Sequence, residues 1–445
     1  MKNLLLIIII PLLNFGQGWE QIFGANLSGS GYCGTSAKQV DGGYIICGGT
    51  HFAQSILFGM TPSDICIFKT DINGEEEWSK TFGSEYWDGS EYWDFGKSIQ
   101  QTTDGGYVIA GFINGFGLGG GSAYLLKIDS SGEEQWSQTF EFGIAESVQQ
   151  TTDGGYIITG YDSSSIYLVK TDENGNQQWS QTFGESFNDR AMFVQQTTDG
   201  GYVITGYTSM INSLGNWETD IYLIKINANG EQQWSQTFGG AGNDKAHCVQ
   251  QTTDGGYIIT GQDEEDIYDP GNDFWVEDSD LYLIKTNELG QEEWAQRFGG
   301  TAGNDSGQSV QQTTDGGYVI AGHITPADNQ NSNIYLLKTN DMGEEQWSQT
   351  FGGPGDDKGQ SIQQTTDGGY IIGGYTSTIN NISNGVYLIK TDALGNTASI
   401  NIIKSPAINK KLIKNLDILG RENNHEGFHL EIYHDGSIEK KYIIK

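Results

Sequence analysis

The chain is short of the residues from which catalytic and metal sites are commonly built. It has six histidines and four cysteines in 445 residues, and only His51, His247 and His323 fall in its repetitive middle. It contains no His-Glu-x-x-His, no Gly-x-Ser-x-Gly and no Cys-x-x-Cys, which excludes the common zinc and nucleophile-elbow arrangements. Basic residues are also few: 23 Lys and Arg stand against 57 Asp and Glu, for a net charge of −34. A surface of that sign repels phosphate backbones and anionic lipid, so nucleic acid is excluded as a partner. Proline is down to six residues while glycine reaches 64 and aromatics 12%. That balance suits many short strands joined by tight turns. Apolar runs are missing too, apart from Leu4–Leu13, which follows Lys2 and precedes small residues at Gly16 and Gly18. Residues 1–18 read as a secretory signal peptide, too short to span a bilayer, and the mature chain is expected to carry no transmembrane segment.

What the sequence does have is a repeat. Asp-Gly-Gly-Tyr occurs seven times, starting at Asp41, Asp104, Asp153, Asp199, Asp254, Asp315 and Asp367, at steps of 46 to 63 residues. Such a step fits one four-stranded β-propeller blade per repeat with connections of varying length. In the fourth repeat, residues 194–198 are expected to form a short first strand. Asp199-Gly200-Gly201 then turns the chain, with glycines that tolerate positive φ, into a second strand at 202–206. A third strand at 221–225 and a turn at 227–230 lead to a fourth at 231–238. The middle strands are near-continuous β-branched and aromatic runs, which implies burial on both faces.

Six repeats end in Trp78, Trp136, Trp179, Trp234, Trp294 and Trp347, each four residues after a turn glycine; in the seventh, Ser399 holds that place. The beginning of the chain supplies the missing residue, because Trp19-Glu20-Gln21-Ile22-Phe23-Gly24 matches the segment that starts at Trp234. The expected fold is therefore all-β: a seven-bladed β-propeller over residues 19–400, closed by its N-terminal strand, which hides the edges an open arc would leave. Cys47 and Cys66 fall on strands expected to be neighbours; buried free thiols are expected there, with a disulfide as the alternative in an oxidising compartment.

The segment Asp172-Glu-Asn-Gly175-Asn-Gln-Gln-Trp179 resembles the tryptophan-docking repeat of quinoprotein-like propellers, with a turn one residue shorter, and loosely the Asp-box of sialidase propellers. Both resemblances imply architecture: the Asp or Asn accepts backbone hydrogen bonds in the turn, and the indole wedges between blades. The arginine triad expected of a sialidase is missing, since residues 19–400 hold only Arg190 and Arg297. No cofactor is expected.

From Lys404 the repeat stops and basic residues outnumber acidic ones by eight to six. Asp417-x-x-Gly420-Arg421-Glu422 and the final Glu439-Lys440-Lys441 strand resemble the type A C-terminal sorting domain of the type IX secretion system of the Bacteroidetes. The resemblance implies a small β-rich sorting domain at 401–445, a partnership of residues 404–445 with that machinery, and delivery to the cell surface or medium.

The connections between second and third strands, and between blades, vary in length, and binding tends to sit in variable loops on a rigid scaffold. Two insertions there carry aromatics beside carboxylates. One, between blades 1 and 2, has Tyr86, Trp87, Tyr92 and Trp93; the other, in blade 5, has Tyr268, Phe274 and Trp275. Exposed rings of this kind suit sugar stacking or a protein partner. Asp94, Asp189, Asp244, Asp305 and Asp357 recur six residues before the first Gln of each Gln-Gln pair. The carboxylates of the two insertions also suit Ca²⁺; clustered at the channel mouth, the five aspartates could bind a cation, but recurrence in five blades favours hydrogen bonds that fix a loop. Lys69, Lys127, Lys170, Lys225, Lys285, Lys338 and Lys390 recur once per blade and read as scaffold. The function expected is a non-catalytic extracellular or cell-surface binding protein for a glycan or a protein. The alternatives are a polysaccharide-active hydrolase or lyase on the same scaffold, and a structural surface component.

Overall fold

The computed structural model describes residues 18–397 apart from 24–30, 52–63, 84–92, 116–120, 142, 163–164, 185–187, 212–214, 216, 270–273, 300–302, 327–330 and 380–381, and three tail strands. Nearly all of the expected signal peptide, residues 1–17, lies outside the described residues. Within them the chain forms seven four-stranded antiparallel sheets and one three-stranded sheet. Blades 1 to 6 run from Gly31 to Phe82, Trp93 to Phe140, Ile144 to Phe183, Arg190 to Phe238, Lys245 to Phe298 and Ser306 to Phe351. Blade 7 takes three strands from Asp357 to Thr391 and its fourth from Trp19–Phe23. Trp19 lies opposite Lys390 and Phe23 opposite Val386, so the N-terminal strand completes the last blade at the register the tryptophan spacing implies.

The core is divided into seven apolar wedges, one between each pair of adjacent blades. Successive residues of a middle strand enter opposite wedges. Ile45 packs between blades 1 and 2, whereas Ile46 packs between blades 7 and 1. The same alternation settles the cysteines: Cys47 lies opposite Ile67 and Cys66 opposite Gly48, so the two side chains leave opposite faces of the sheet. Both are buried free thiols.

Each blade tryptophan meets the Asp-Gly-Gly-Tyr tyrosine of the next blade at ring-centroid distances of 5.5 to 6.2 Å, and Trp19 closes the series on Tyr44. The glycine of the next blade's outer turn sits against the indole. At Gly175 a Cβ would meet the ring of Trp136, and φ is +79° besides.

Two elements differ from the sequence expectation. In blade 4 the first strand starts at Arg190, and the middle pair extends to Tyr202–Ile211 and Trp217–Ile226. In blade 5 the expected acidic loop is a continued ladder, Tyr257–Asp269 against Phe274–Thr286, because its β-branched and aromatic residues fall in opposed positions such as Ile267 with Val276 and Tyr268 with Trp275. The tail, Ile400–Lys445, is a separate compact unit with an antiparallel sheet of Leu412–Asp417, Gly427–Tyr433 and Ile438–Ile443.

Candidate functional site

One face of the propeller is built from repeated, self-satisfied turns. In Asp199-Gly200-Gly201 the first glycine has φ +82°, while a Cβ on the second would strike the Ile226 carbonyl and Lys225 Nζ. The bare backbone there admits a buried lysine. Lys225, 4% exposed, places its ammonium 2.8 Å from Asp199 and also donates to the Ile226 carbonyl and Gln233. The same ion pair, at 2.9 to 3.0 Å, recurs in blades 2, 3, 5, 6 and 7. Burial opposes the charge of Asp199, but the Lys225 ammonium, the Thr197 hydroxyl and the Gly201 N–H together hold its carboxyl down at about 2. The outer turns are closed in the same manner: Asp172 Oδ1 accepts from the N–H groups of Asn174 and Asn176 at 2.9 and 2.8 Å. These short turns hold blades together.

The opposite face carries the connections between blades and the long middle-strand hairpins. Here Asp94, Asp189, Asp244, Asp305 and Asp357 are all buried. Asp189 accepts from the Thr208 hydroxyl and the Ser209 N–H, Asp244 from the N–H groups of Gly240 and Glu264, Asp305 from Thr325 N–H, and Asp357 from Gly353 N–H. Each of these four tacks the connection leading into its blade to that loop or to the blade's second strand. None of the five lines the channel, and among the described residues no group of three or more His, Cys, Asp or Glu is placed to hold a metal ion. Burial, reinforced by the neighbouring Asp263 carboxylate, outweighs the two N–H groups and pushes the Asp244 carboxyl well above the usual range.

Of the aromatic candidates, Tyr86, Trp87 and Tyr92 lie outside the described residues. Trp93 begins the first strand of blade 2, and Tyr268, Phe274 and Trp275 lie on the blade 5 hairpin, Tyr268 opposite Trp275; their side chains are likewise outside the description. A site that the sequence reading missed lies on the blade 4 hairpin. There Ile211 pairs with Trp217, and Met210, Ile211 and Trp217 are 40%, 59% and 58% exposed. Trp217 lines a cavity of about 300 Å³ with Asn188, Ser209, Thr219 and Asn243. The available signal was a tryptophan outside the blade-ending series.

The central channel was missed as well. It is a cavity of about 510 Å³ lined by the seven innermost strands. In every blade the innermost strand has a β-bulge just after a Gly or Ala, which leaves one residue unpaired: Thr35, Lys97, Glu146, Met192, His247, Gln308 or Gln360. Bulges re-aim side chains, and all seven of these residues line the channel. Lys97 and Glu146 pair at 3.3 Å, and burial holds His247 down at about 4, hence neutral. The bulge position varies chemically while its flanks repeat, which is how a binding position looks in a repeat protein.

Fold and site together define a seven-bladed β-propeller with a smooth self-bonded face, a face of long hairpins and a polar channel. No protein-family model and no curated protein matches the chain. Among solved structures, the WD40 propeller domain of Doa1 is similar at 11% identity and a TM-score of 0.49, over 83% of this chain and 97% of that one. A protein of unknown function from Dyadobacter fermentans is similar at 8% and 0.47, over 85% and 100%. Sqt1 from Chaetomium thermophilum, bound to the N-terminus of ribosomal protein L10, is similar at 10% and 0.45, over 82% and 98%.

Proposed function

We propose that the chain is an exported, non-catalytic binding protein that takes a glycan or protein ligand on its long-hairpin face. The observation that carries this reading is the contrast between the faces. On one, short repeated turns spend their polar groups on each other; on the other, the hairpins differ in length, and that of blade 4 ends in exposed Met210, Ile211 and Trp217. Rigid blades with variable, aromatic-tipped extensions are the usual layout of a recognition surface. The signal segment and the resemblance of residues 404–445 to a type IX sorting domain support presentation on the cell surface or release from it. Asp189, Asp244, Asp305 and Asp357 serve this role as loop rivets; Ca²⁺ is no part of the proposal.

The test is a glycan array and a protein-capture screen on the full mature chain, with sugar release followed in parallel. Binding without turnover, weakened at least tenfold by Trp217→Ala or by the pair Trp87→Ala and Trp93→Ala, is the expected outcome. Sugar release would replace this reading with the hydrolase or lyase alternative. Binding unaffected by these changes, but lost when the Asp-Gly-Gly-Tyr turns are altered without unfolding, would move the site to the other face.

A further inference from the structure

The channel has a second tier, nearer the short turns, that the long-hairpin face does not use. Six blades place a glutamine there: Gln100, Gln149, Gln195, Gln250, Gln311 and Gln363. Blade 1 places Lys38. Each of the six carboxamide oxygens accepts from the backbone N–H of the following blade's second glutamine, at 2.5 to 2.8 Å. A carboxamide combines one acceptor oxygen with two N–H donors. With the oxygen turned to the neighbouring blade, the group is left with its NH₂ to offer the channel. Three of the five serines that line the channel two residues earlier on the same strands behave alike. The hydroxyl oxygens of Ser98, Ser147 and Ser361 accept from the N–H groups of Val148, Val194 and Ala37 at 3.3, 3.4 and 2.8 Å, which leaves each O–H free to donate. Ring closure thus consumes acceptors and leaves donors.

Lys38 adds a cation to this ring. Its Nζ has no hydrogen-bond or ion-pair partner among the described residues, and its ionisable neighbours are the thiols of Cys248 and Cys47. Burial pushes both thiols up, Cys47 to about 12, so neither supplies a negative charge. The Lys97–Glu146 pair cancels itself, and Nε2 of the neutral His247 is buried without a partner. When protonated, Lys38 is therefore, among the described residues lining the channel, the charge left without a partner, amid donors and inside a chain whose net charge is −34. Lys38 is half-buried in the channel wall; desolvation there lowers its pKa, a cost that an anion bound beside it would offset.

We propose that this tier is an oxyanion site, in which a sulfate, a phosphate or the carboxylate of a ligand sits in the channel, paired with Lys38 and held by glutamine carboxamides. A charge-assisted contact flanked by preorganised amide donors is the arrangement that binds such groups. It lies apart from the hairpin tips, so it stands or falls independently of the proposed binding face.

The experiment is calorimetric titration of the full chain with sulfate, phosphate, citrate and acetate against chloride at constant ionic strength. Saturation at one site per chain is expected, with affinity at least tenfold lower in Lys38→Gln and within a few-fold of wild type in Lys38→Arg. Lys38→Gln installs the residue that the other six blades carry, and near-ultraviolet dichroism confirms that it folds. As a second readout on the unmutated chain, reductive methylation followed by peptide mass spectrometry should show Lys38 protected several-fold by the saturating anion. Preference for sulfate or phosphate identifies an inorganic oxyanion as the occupant, and preference for citrate or acetate a ligand carboxylate. Saturation by none of them, equal affinity in Lys38→Gln, or methylation of Lys38 indifferent to anion would overturn the proposal.

Discussion

At the scale of single residues, three turn aspartates of one face and Asp244 on the other respond to acid in opposite senses. The turn aspartates Asp104, Asp199 and Asp254 are held down at about 2, so each contributes stability that is present above its unfolded pKa, near 3.9, and is lost as pH falls through about 2. Asp244 is raised by burial, so its contribution is present below the unfolded value and is lost as pH rises towards neutrality. Urea unfolding followed from pH 2 to 8 should therefore show a steep loss on the acid side. Burial holds His247 and His323 down at about 4 and 3, so both add stability as pH rises over the range in which Asp244 loses it. The contribution of Asp244 is therefore read as a difference: the stability of the unmutated chain relative to Asp244→Asn should fall from about pH 4 upward, with the acid limb common to both. A difference that does not change with pH would remove Asp244 as its source. Sequence reading could name these residues, because they recur at fixed offsets. It could not give their direction, which depends on how deeply the carboxyl is buried and on whether a lysine ammonium stands against it.

At the scale of elements, the strand Trp19–Phe23 stands out because it belongs to the last blade and comes from the first residues of the fold. Its indole is half-buried between Tyr44 and the Gly74 turn. Trp19→Ala should cost about 2–3 kcal/mol, below the range for fully buried aromatics, and deletion of residues 19–23 should cost more because five paired residues go with it. Thermal unfolding of both variants measures this; an unchanged midpoint in the deletion would refute closure by this strand. The closure was legible because a single expected tryptophan was absent at Ser399 and present at Trp19. The blade 5 hairpin was not, because an acidic run reads as loop until the register that opposes Tyr268 to Trp275 is known. The channel was illegible for a related reason: in sequence, nothing marks Lys38 apart from the other lysines, and only the bulges and the seven-fold ring bring the innermost strands to one axis.

At the scale of the whole molecule, propeller and tail are separate units, and ending the chain near Ile403 should leave the unfolding midpoint of the propeller unchanged. The same truncation should strand the protein in the periplasm of its host, if residues 404–445 serve as the proposed address; normal surface delivery of the shortened chain would refute that. The ring closure has a consequence in time as well. Trp19 and its partner Lys390 are about 370 residues apart in the chain, and at roughly 5–20 residues per second the strand Trp19–Phe23 is made about 20–70 s before its partner exists. Until then blade 7 has no outer strand and the earliest-made segment has nowhere to go. A permuted gene that starts at blade 1 and ends with residues 19–23 would deliver both partners almost together. In pulse-labelled cells its product should become protease-resistant sooner than the natural chain, while its final stability stays the same.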